Sequence, residues 1–284
     1  MKRQIGIVLH SERALVQNLF DQLVGELANR DVTGIEITFE NLNLVPNLEM
    51  IVVLGGDGTI LKAVEIIHGV DIPILGINLG RVGFLAEAEI TDISSAVEAI
   101  VNKNWQTELR TLLDVKVVRN GKNVFESFAI NDAAIEKVAP ELMTELRVSV
   151  DNTILMAFSG DGLIVATSTG STAYAFSAGG PILWPNTKAI ITVPVAAHAL
   201  FSRPLVFDPS SHLQSEILSS KATLNLDGRR NFDLQLGDLV KVTGASNNLQ
   251  FARIHSTSFA DRLVKKFRLP TTSWRDSDNA DRKS

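Results

Sequence analysis

Apolar residues fall in short clusters along the first hundred positions, and the spacing within the clusters is of two kinds. Ile5 to Leu9 is a compact apolar run that reads as a buried strand. From Ala14 to Ala28 the pattern changes, with Leu15, Leu19, Leu23 and Leu27 spaced to share one helix face. Ile51 to Leu54 is again strand-like and runs into Gly55-Gly56-Asp57-Gly58. Thr59 to His68 then predicts a helix, Ile72 to Ile77 a strand, and Ile93 to Asn102 a further helix. Strands alternating with helices at this spacing predict βαβ units on a parallel sheet.

Near Thr107 the period switches to two. Asp114 to Phe128 alternates around Asn120-Gly121, a strong hairpin signal, and Glu145 to Phe158 does so around Asp151-Asn152. Ala222 to Val242 adds strands punctuated by Asp227-Gly228 and Gly237-Asp238. The expected fold is an α/β N-terminal domain with a parallel sheet, 1–106, followed by an all-β sandwich domain, 107–256. A polar tail is expected from Thr271 to Ser284.

The composition of the 284-residue chain narrows the function. With 45% hydrophobic and 21% charged residues it is globular, and a net charge of −5 gives no general attraction to nucleic acid or anionic membrane. An anionic substrate would need a local site. The chain has no cysteine, which excludes disulfides, thiolate catalysis and cysteine zinc sites and suits a cytoplasmic protein. The apolar run after Met1 is too short for a signal peptide, and Ala189 to Phe201 is too short to span a bilayer.

Four segments carry candidate chemistry. Gly55-Gly56-Asp57-Gly58-Thr59 lies between a strand and a helix, where glycines and a helix N-terminus suit phosphate. A carboxylate there would be repelled by phosphate unless it meets a metal or a hydroxyl; taken alone, the segment is as readily a tight turn capped by Asp. Asn78 to Phe84 follows the next strand, with glycines off the G-x-G-x-x-G spacing, and by itself reads as a glycine-rich connection. Asn131-Asp132 offers a donor and acceptors for a ribose diol or an adenine edge, or an ordinary strand-end turn. Asp161-Gly162 leads into Thr167-Ser168-Thr169-Gly170-Ser171-Thr172-Ala173-Tyr174 and on to Gly180-Pro181. Such dense small hydroxyl residues suit the floor of a polar pocket, and Tyr174, the single tyrosine, could stack on a ring. No G-x-x-x-x-G-K-[ST], H-E-x-x-H or G-x-S-x-G occurs, and the five histidines show no metal-ligand spacing.

Together these segments resemble the NAD kinase family over about residues 1 to 270. GGDG is shared with diacylglycerol and sphingosine kinases, whereas the TGSTAY run is specific. Phe259 to Pro270 is similar to the actinobacterial branch. The resemblance implies a C-terminal segment, 257–270, that returns to the first domain, and a dimer or tetramer. It implies Asp57 as the catalytic carboxylate, with Gly55, Gly56, Gly58, Thr59 and Lys62 around the phosphoryl donor. Asn131 and Asp132 would hold the adenosine end of NAD, and Asp161 the nicotinamide side. Thr172, Ala173, Tyr174 and Ser177 would line the pocket, with Ala196 and Arg229 as further contacts. Two departures stand out. Asp132 replaces the usual Glu, implying a longer or water-mediated ribose contact, and Ser168 replaces a Pro, implying a looser loop.

The implied reaction is phosphoryl transfer from ATP or inorganic polyphosphate to the 2′-hydroxyl of the adenosine ribose of NAD, with Mg²⁺ as the divalent metal and its ligands unassigned. A small residue at the position of Ser159 accompanies polyphosphate use in the family. A lipid kinase would share the donor loop but need an apolar acceptor pocket. A non-catalytic dinucleotide sensor would keep the pocket without needing Asp57.

Overall fold

In the computed structural model, residues 2–10, 13–80, 83–86, 88–89, 93–254 and 258–270 are described. The expected tail, 271–284, lies outside the described residues, as do Arg81 and Val82 of the Asn78–Phe84 motif. The chain divides into one unit of residues 1–108 and 250–284 and a second of residues 109–249.

The first unit opens with β1 (Arg3–Leu9), α1 (Arg13–Ala28), β2 (Val32–Glu36), β3 (Met50–Leu54), α2 (Asp57–Ile67) and β4 (Ile74–Asn78). It continues with β5 (Ala88–Glu89) and α3 (Ile93–Asn102). β2, β1, β3 and β4 pair in that order, all parallel. β3 and β4 are buried along their whole length, as strands covered on both faces must be. Val16, Leu23 and Leu27 of α1 and Ile93, Val97 and Ile100 of α3 pack on Ile5, Ile7, Val52, Leu75 and Ile77. Ile60 of α2 rests against Gly76, whose position alternates to the other face of β4. β2 carries no clear alternation, with Gly34 at its centre, and the sequence reading did not find it.

The second unit is built from β6 (Gln106–Arg119), β7 (Lys122–Ala129), β8 (Asp132–Glu136), β9 (Thr144–Val150), β10 (Thr153–Gly160) and β11 (Gly162–Thr167). Next come α4 (Tyr174–Ser177), β12 (Ile190–Val195), β13 (Leu205–Phe207), β14 (Leu213–Ile217), β15 (Lys221–Leu226), β16 (Arg230–Gln235) and β17 (Leu239–Arg253). One sheet has the order β13-β12-β11-β8-β15-β16, antiparallel throughout. The other holds β10-β9-β14-β17, with β6 pairing β17 and β7. Their inner faces share a core that includes Leu113, Val115, Ile135, Val148, Leu163, Leu213, Leu224 and Val240. The hairpin turns at Asn120-Gly121, Asp151-Asn152 and Asp227-Gly228 all have two consecutive positive φ angles, as the residue types predict.

Along β8 the residues alternate. Ala133 and Ile135 enter the inter-sheet core, whereas Ala134 joins Ile164, Ile191, Val193 and Ala175 of α4 on the outer face. Asp132 and Glu136 share that outer face. β17 is long enough to leave the second unit at Leu249 and enter the first at Gln250, where Phe251 pairs in parallel with Ile74. α5 (Phe259–Phe267) follows in the first unit, started by a capping box between Ser258 and Asp261 and ending on Lys265 and Lys266. No helix among the described residues is long and apolar enough to cross a membrane.

Candidate active site

The glycine turn of the first unit connects β3 to α2. Gly55 N–H donates to the Ile77 carbonyl at 3.0 Å, tying the turn to the end of β4. Gly56 is the N-cap of α2, so no side-chain oxygen caps the first-turn N–H groups, and an anion can take their place. The helix begins at Asp57, two residues before the position that the apolar pattern indicated. Thr59 packs under Gly55, and Lys62 lies half-buried one turn further on.

The half-buried Asp57 carboxylate is fixed by two backbone donors. Phe84 N–H donates to Oδ2 and Leu85 N–H to Oδ1, each at 3.1 Å. The approach is so close that a Cβ on Gly83 would stand 2.2 Å from Oδ1. Gly83 is therefore small because a carboxylate occupies the space a side chain would need. Asp57 is thus oriented rather than a free surface turn residue.

In the second unit a cavity of about 460 Å³ opens on the outer face of β8 beside α4. That volume is in the range of small-molecule sites. Asn131, Asp132, Ala134 and Glu136 form one wall, Ala173 and Tyr174 another, and Asn225, Asp227 and Gly228 a third. Tyr174 Oη donates to Glu136 Oε1 at 3.0 Å, and Asn225 Nδ2 donates to the other Glu136 oxygen. Glu136 thus fixes the tyrosine ring.

Asp227 anchors the strand end that carries Asn131 and Asp132. In the left-handed conformation (φ 55°) its carboxylate accepts from the N–H groups of Ile130 (3.1 Å), Asn131 (2.7 Å) and Asp132 (3.3 Å). Arg230 closes the arrangement at 2.9 Å and lies over the Phe128 ring at 4.1 Å. Asp132 is only 5% exposed. Burial, then the neighbouring Asp227 charge, push its carboxyl up to about 7, against a smaller opposing pull from the Tyr174 N–H. Burial also raises Asp227, but three N–H groups and Arg230 favour its anion. Asp132 has fewer such compensating donors than Asp227. Burial and the Glu136 hydrogen bond push the Tyr174 hydroxyl up to about 12, so it stays a donor.

The hydroxyl-rich run differs from the pocket floor expected of it. Thr167, Ser168, Thr169 and Ser171 are buried. Thr167 Oγ1 donates to the Ile130 carbonyl at 2.5 Å, Ser171 Oγ to the Ser168 carbonyl at 2.7 Å, and Arg110 donates to Thr169 Oγ1 at 3.2 Å. The hydroxyls of Thr167 and Ser171 satisfy backbone carbonyls and that of Thr169 accepts from a side chain, all within a tight turn that presents Ala173 and Tyr174 to the cavity. Gly170 is essential to that turn, since a Cβ there would lie 1.9 Å from the Asn131 carbonyl oxygen. Ser168 does not loosen the loop as the missing proline implied. Its hydroxyl donates to the Thr187 carbonyl at 2.5 Å and ties the turn to the segment before β12.

Of the residues singled out from sequence, Asn131, Asp132, Ala173 and Tyr174 meet around this one cavity. Gly55, Gly56, Asp57, Gly58, Thr59 and Lys62 share the glycine turn and α2. Asp161, Thr172, Ser177, Ala196 and Arg229 do not line the cavity. Asp161 pairs with Lys137 at 2.7 Å, and Ala196, just past β12, has φ 46°, a strained conformation for a residue with a side chain. Thr172 donates to the Thr169 carbonyl at 3.3 Å, Ser177 ends α4 in an exposed position, and Arg229 lies exposed in the turn before β16. Sequence reasoning missed Glu136, Asn225 and Asp227. Glu136 was reachable, because it is two and four residues from Ala134 and Asp132 on a strand and so shares their face. Asn225 is opposite Ala134 across the ladder, which only the register reveals.

Two family models match the chain, the ATP-NAD kinase N-terminal domain over residues 6–105 and the ATP-NAD kinase C-terminal domain over residues 130–254. An NAD kinase of Leifsonia xyli subsp. xyli is 46% identical over 237 residues, 82% of this chain and 78% of that protein. One of Mycobacterium bovis is 44% identical over 244 residues, covering 85% and 79%. Among solved structures, an NAD kinase from Archaeoglobus fulgidus in complex with ATP has a TM-score of 0.77 at 25% identity, covering 93% of this chain and 98% of that one. Yeast NADH kinase complexed with NADH has a TM-score of 0.86 at 22% identity, a likeness of fold, covering 95% and 89%.

Proposed function

The chain belongs to the NAD kinase family, and from that premise we propose that it transfers a phosphoryl group from ATP or inorganic polyphosphate to the 2′-hydroxyl of the adenosine ribose of NAD, giving NADP. The observation that carries the mechanism is the Asp57 carboxylate, held by two peptide N–H groups at the N-terminus of α2. Phosphoryl transfer has a loose transition state, so positioning and charge neutralisation supply most of the rate. In this reading Asp57 orients the attacking hydroxyl and takes its proton as the oxygen bonds to phosphorus. The backbone of Gly55, Gly56, Gly58 and Thr59, with Lys62, receives the donor phosphates.

Asn131 and Asp132 hold the adenosine end of the dinucleotide, and Tyr174 and Ala173 wall it in. Asp161, Thr172, Ser177, Ala196 and Arg229 serve the remainder. Among the described residues no cluster of three or more His, Cys, Asp or Glu side chains is arranged to hold a metal ion. Mg²⁺ is read as carried on the donor phosphates, the usual arrangement for nucleotide kinases. A lipid acceptor is disfavoured because Asp132, Glu136 and Asp227 line the cavity. The chain is read as a cytoplasmic homo-oligomer, from its lack of cysteine and the family resemblance, and light scattering tests the assembly.

The direct test is incubation with NAD, ATP and Mg²⁺ and measurement of NADP. Asp57→Asn should keep NAD binding and lose roughly 10²–10⁴-fold in turnover, the range for a general base. Turnover within a few-fold of wild type would remove Asp57 from the mechanism, and no NADP from folded wild-type protein would refute the whole reading.

A further inference from the structure

Of the two N–H groups that hold Asp57, that of Leu85 lies in a peptide gripped from α5, and the next carbonyl is gripped from the end of β17. Leu85 N–H and the Phe84 carbonyl belong to one planar peptide unit. Its N–H donates to Asp57 Oδ1 at 3.1 Å, and its carbonyl accepts from Arg262 Nη1 at 3.2 Å. The same Arg262 nitrogen donates to the Ala86 carbonyl at 3.2 Å. Arg253 Nη1 donates to the Leu85 carbonyl at 3.0 Å, and its Nε pairs with Glu108. Two arginines, each 8% exposed, thus grip three successive carbonyls. The Phe84 ring is wedged against Phe259 and Phe267 of α5, with centroids 5.8 and 5.7 Å away.

We propose that Arg262 is a positioning residue for phosphoryl transfer, setting the Asp57 carboxylate through the single peptide that links them. Two properties of the link make it more than packing. A peptide plane is rigid, so a guanidinium that fixes the carbonyl end also fixes the direction of the N–H end. Hydrogen bonds in series also polarise one another, so the cation strengthens the N–H donor that Asp57 accepts. Removing Arg262 frees the peptide to rotate, and a carboxylate misplaced by a fraction of an ångström loses its aim at the hydroxyl. The claim rests on the reading of Asp57 given above.

The test is a double-mutant cycle in NADP formation, with thermal unfolding of every variant. Arg262→Met keeps length without donors, and Arg262→Lys keeps the charge without the planar fork. We expect Arg262→Met to lower kcat roughly 10–100-fold, with KM for ATP and NAD within about twofold of wild type. Arg262→Lys should recover part of that loss. In the Asp57→Asn background either change should cost less than about twofold further, because the group it positions is gone. Wild-type kcat in folded Arg262→Met, or the same fold-loss with and without Asp57, overturns the proposal. If Arg262→Met does not fold, Arg262→Lys decides alone: an unchanged kcat overturns the proposal, and a loss that vanishes in Asp57→Asn supports it. Asp57→Asn with near-wild-type turnover would instead sink the reading of Asp57, a result visible without any Arg262 variant.

Discussion

Between pH 8 and pH 6 the affinity for NAD is expected to fall about tenfold, and Asp132→Asn is expected to abolish that dependence. The Asp132 carboxyl is 5% exposed and stands beside Asp227, and burial and that charge push it up to about 7. A ribose hydroxyl donates far more strongly to the Asp132 anion than to the neutral acid, so binding is taken to follow the anion. With the empty pocket titrating near 7, the anion is about 9% of the population at pH 6, half at pH 7 and about 90% at pH 8, which gives the tenfold ratio. Binding at pH 7 should then release about half a proton, and calorimetry in two buffers of different ionisation enthalpy reads this directly.

The stability of the unliganded protein should follow the same group. Its folded value is raised, so its contribution is fully present below about pH 4, is lost as pH rises towards 7, and is flat above. A shift from 3.8 to about 7 corresponds to about 4 kcal/mol of stability lost across that window. Asp132→Asn should thus be at least as stable as wild type at pH 8 while binding NAD roughly 10–100-fold more weakly, the loss of a charged hydrogen bond. A dissociation constant constant within twofold from pH 6 to 8, or a slope that survives in Asp132→Asn, would refute the reasoning.

Gly83→Ala should fold normally yet lose at least about 10²-fold in kcat, because the atom in the path of the new Cβ is the movable Asp57 Oδ1 at 2.2 Å; kinetics near wild type would show that Asp57 needs no fixed position. Tyr174→Ala should raise KM for NAD more than KM for ATP, since it removes a wall of one substrate's pocket, and an unchanged KM for NAD would place that pocket elsewhere. Polyphosphate should support NADP formation, with more salt sensitivity than ATP because it is held through phosphate oxygens alone; no product at any salt, from protein active with ATP, would show that Ser159 does not report donor choice.

The apolar periods of α1, α2 and α3 and the turn dipeptides made most of the two-part architecture legible, since these are local signals. β2 was hidden by the lack of alternation around Gly34. In the candidate site, Asp57 stood out as a carboxylate inside a glycine turn and Tyr174 as the single tyrosine after a hydroxyl-rich run, whereas Asn131 and Asp132 read locally as a strand-end turn and were marked by the family resemblance. Glu136 was masked by looking like an ordinary strand-end charge, and Asn225 by a register no local pattern encodes. Thr167 to Ser171 misled in a different way. Small hydroxyl residues can face a ligand or bond their own backbone, and only the carbonyls of Ile130 and Thr187, 37 and 19 residues away, reveal that these do the latter.

The passage of β17 from one unit into the other has a consequence for synthesis. Residues 109–249 are contiguous, so the β-sandwich has its whole sequence as soon as Leu249 leaves the ribosome. The first unit, although it begins the chain, is then still missing the strand that pairs with β4 and the arginines that grip residues 84–86. Domains usually mature in the order they are translated. Here the sequence order allows the reverse: the cavity beside Tyr174 can form first, whereas the side chains that grip residues 84–86 arrive only with residues 250–267.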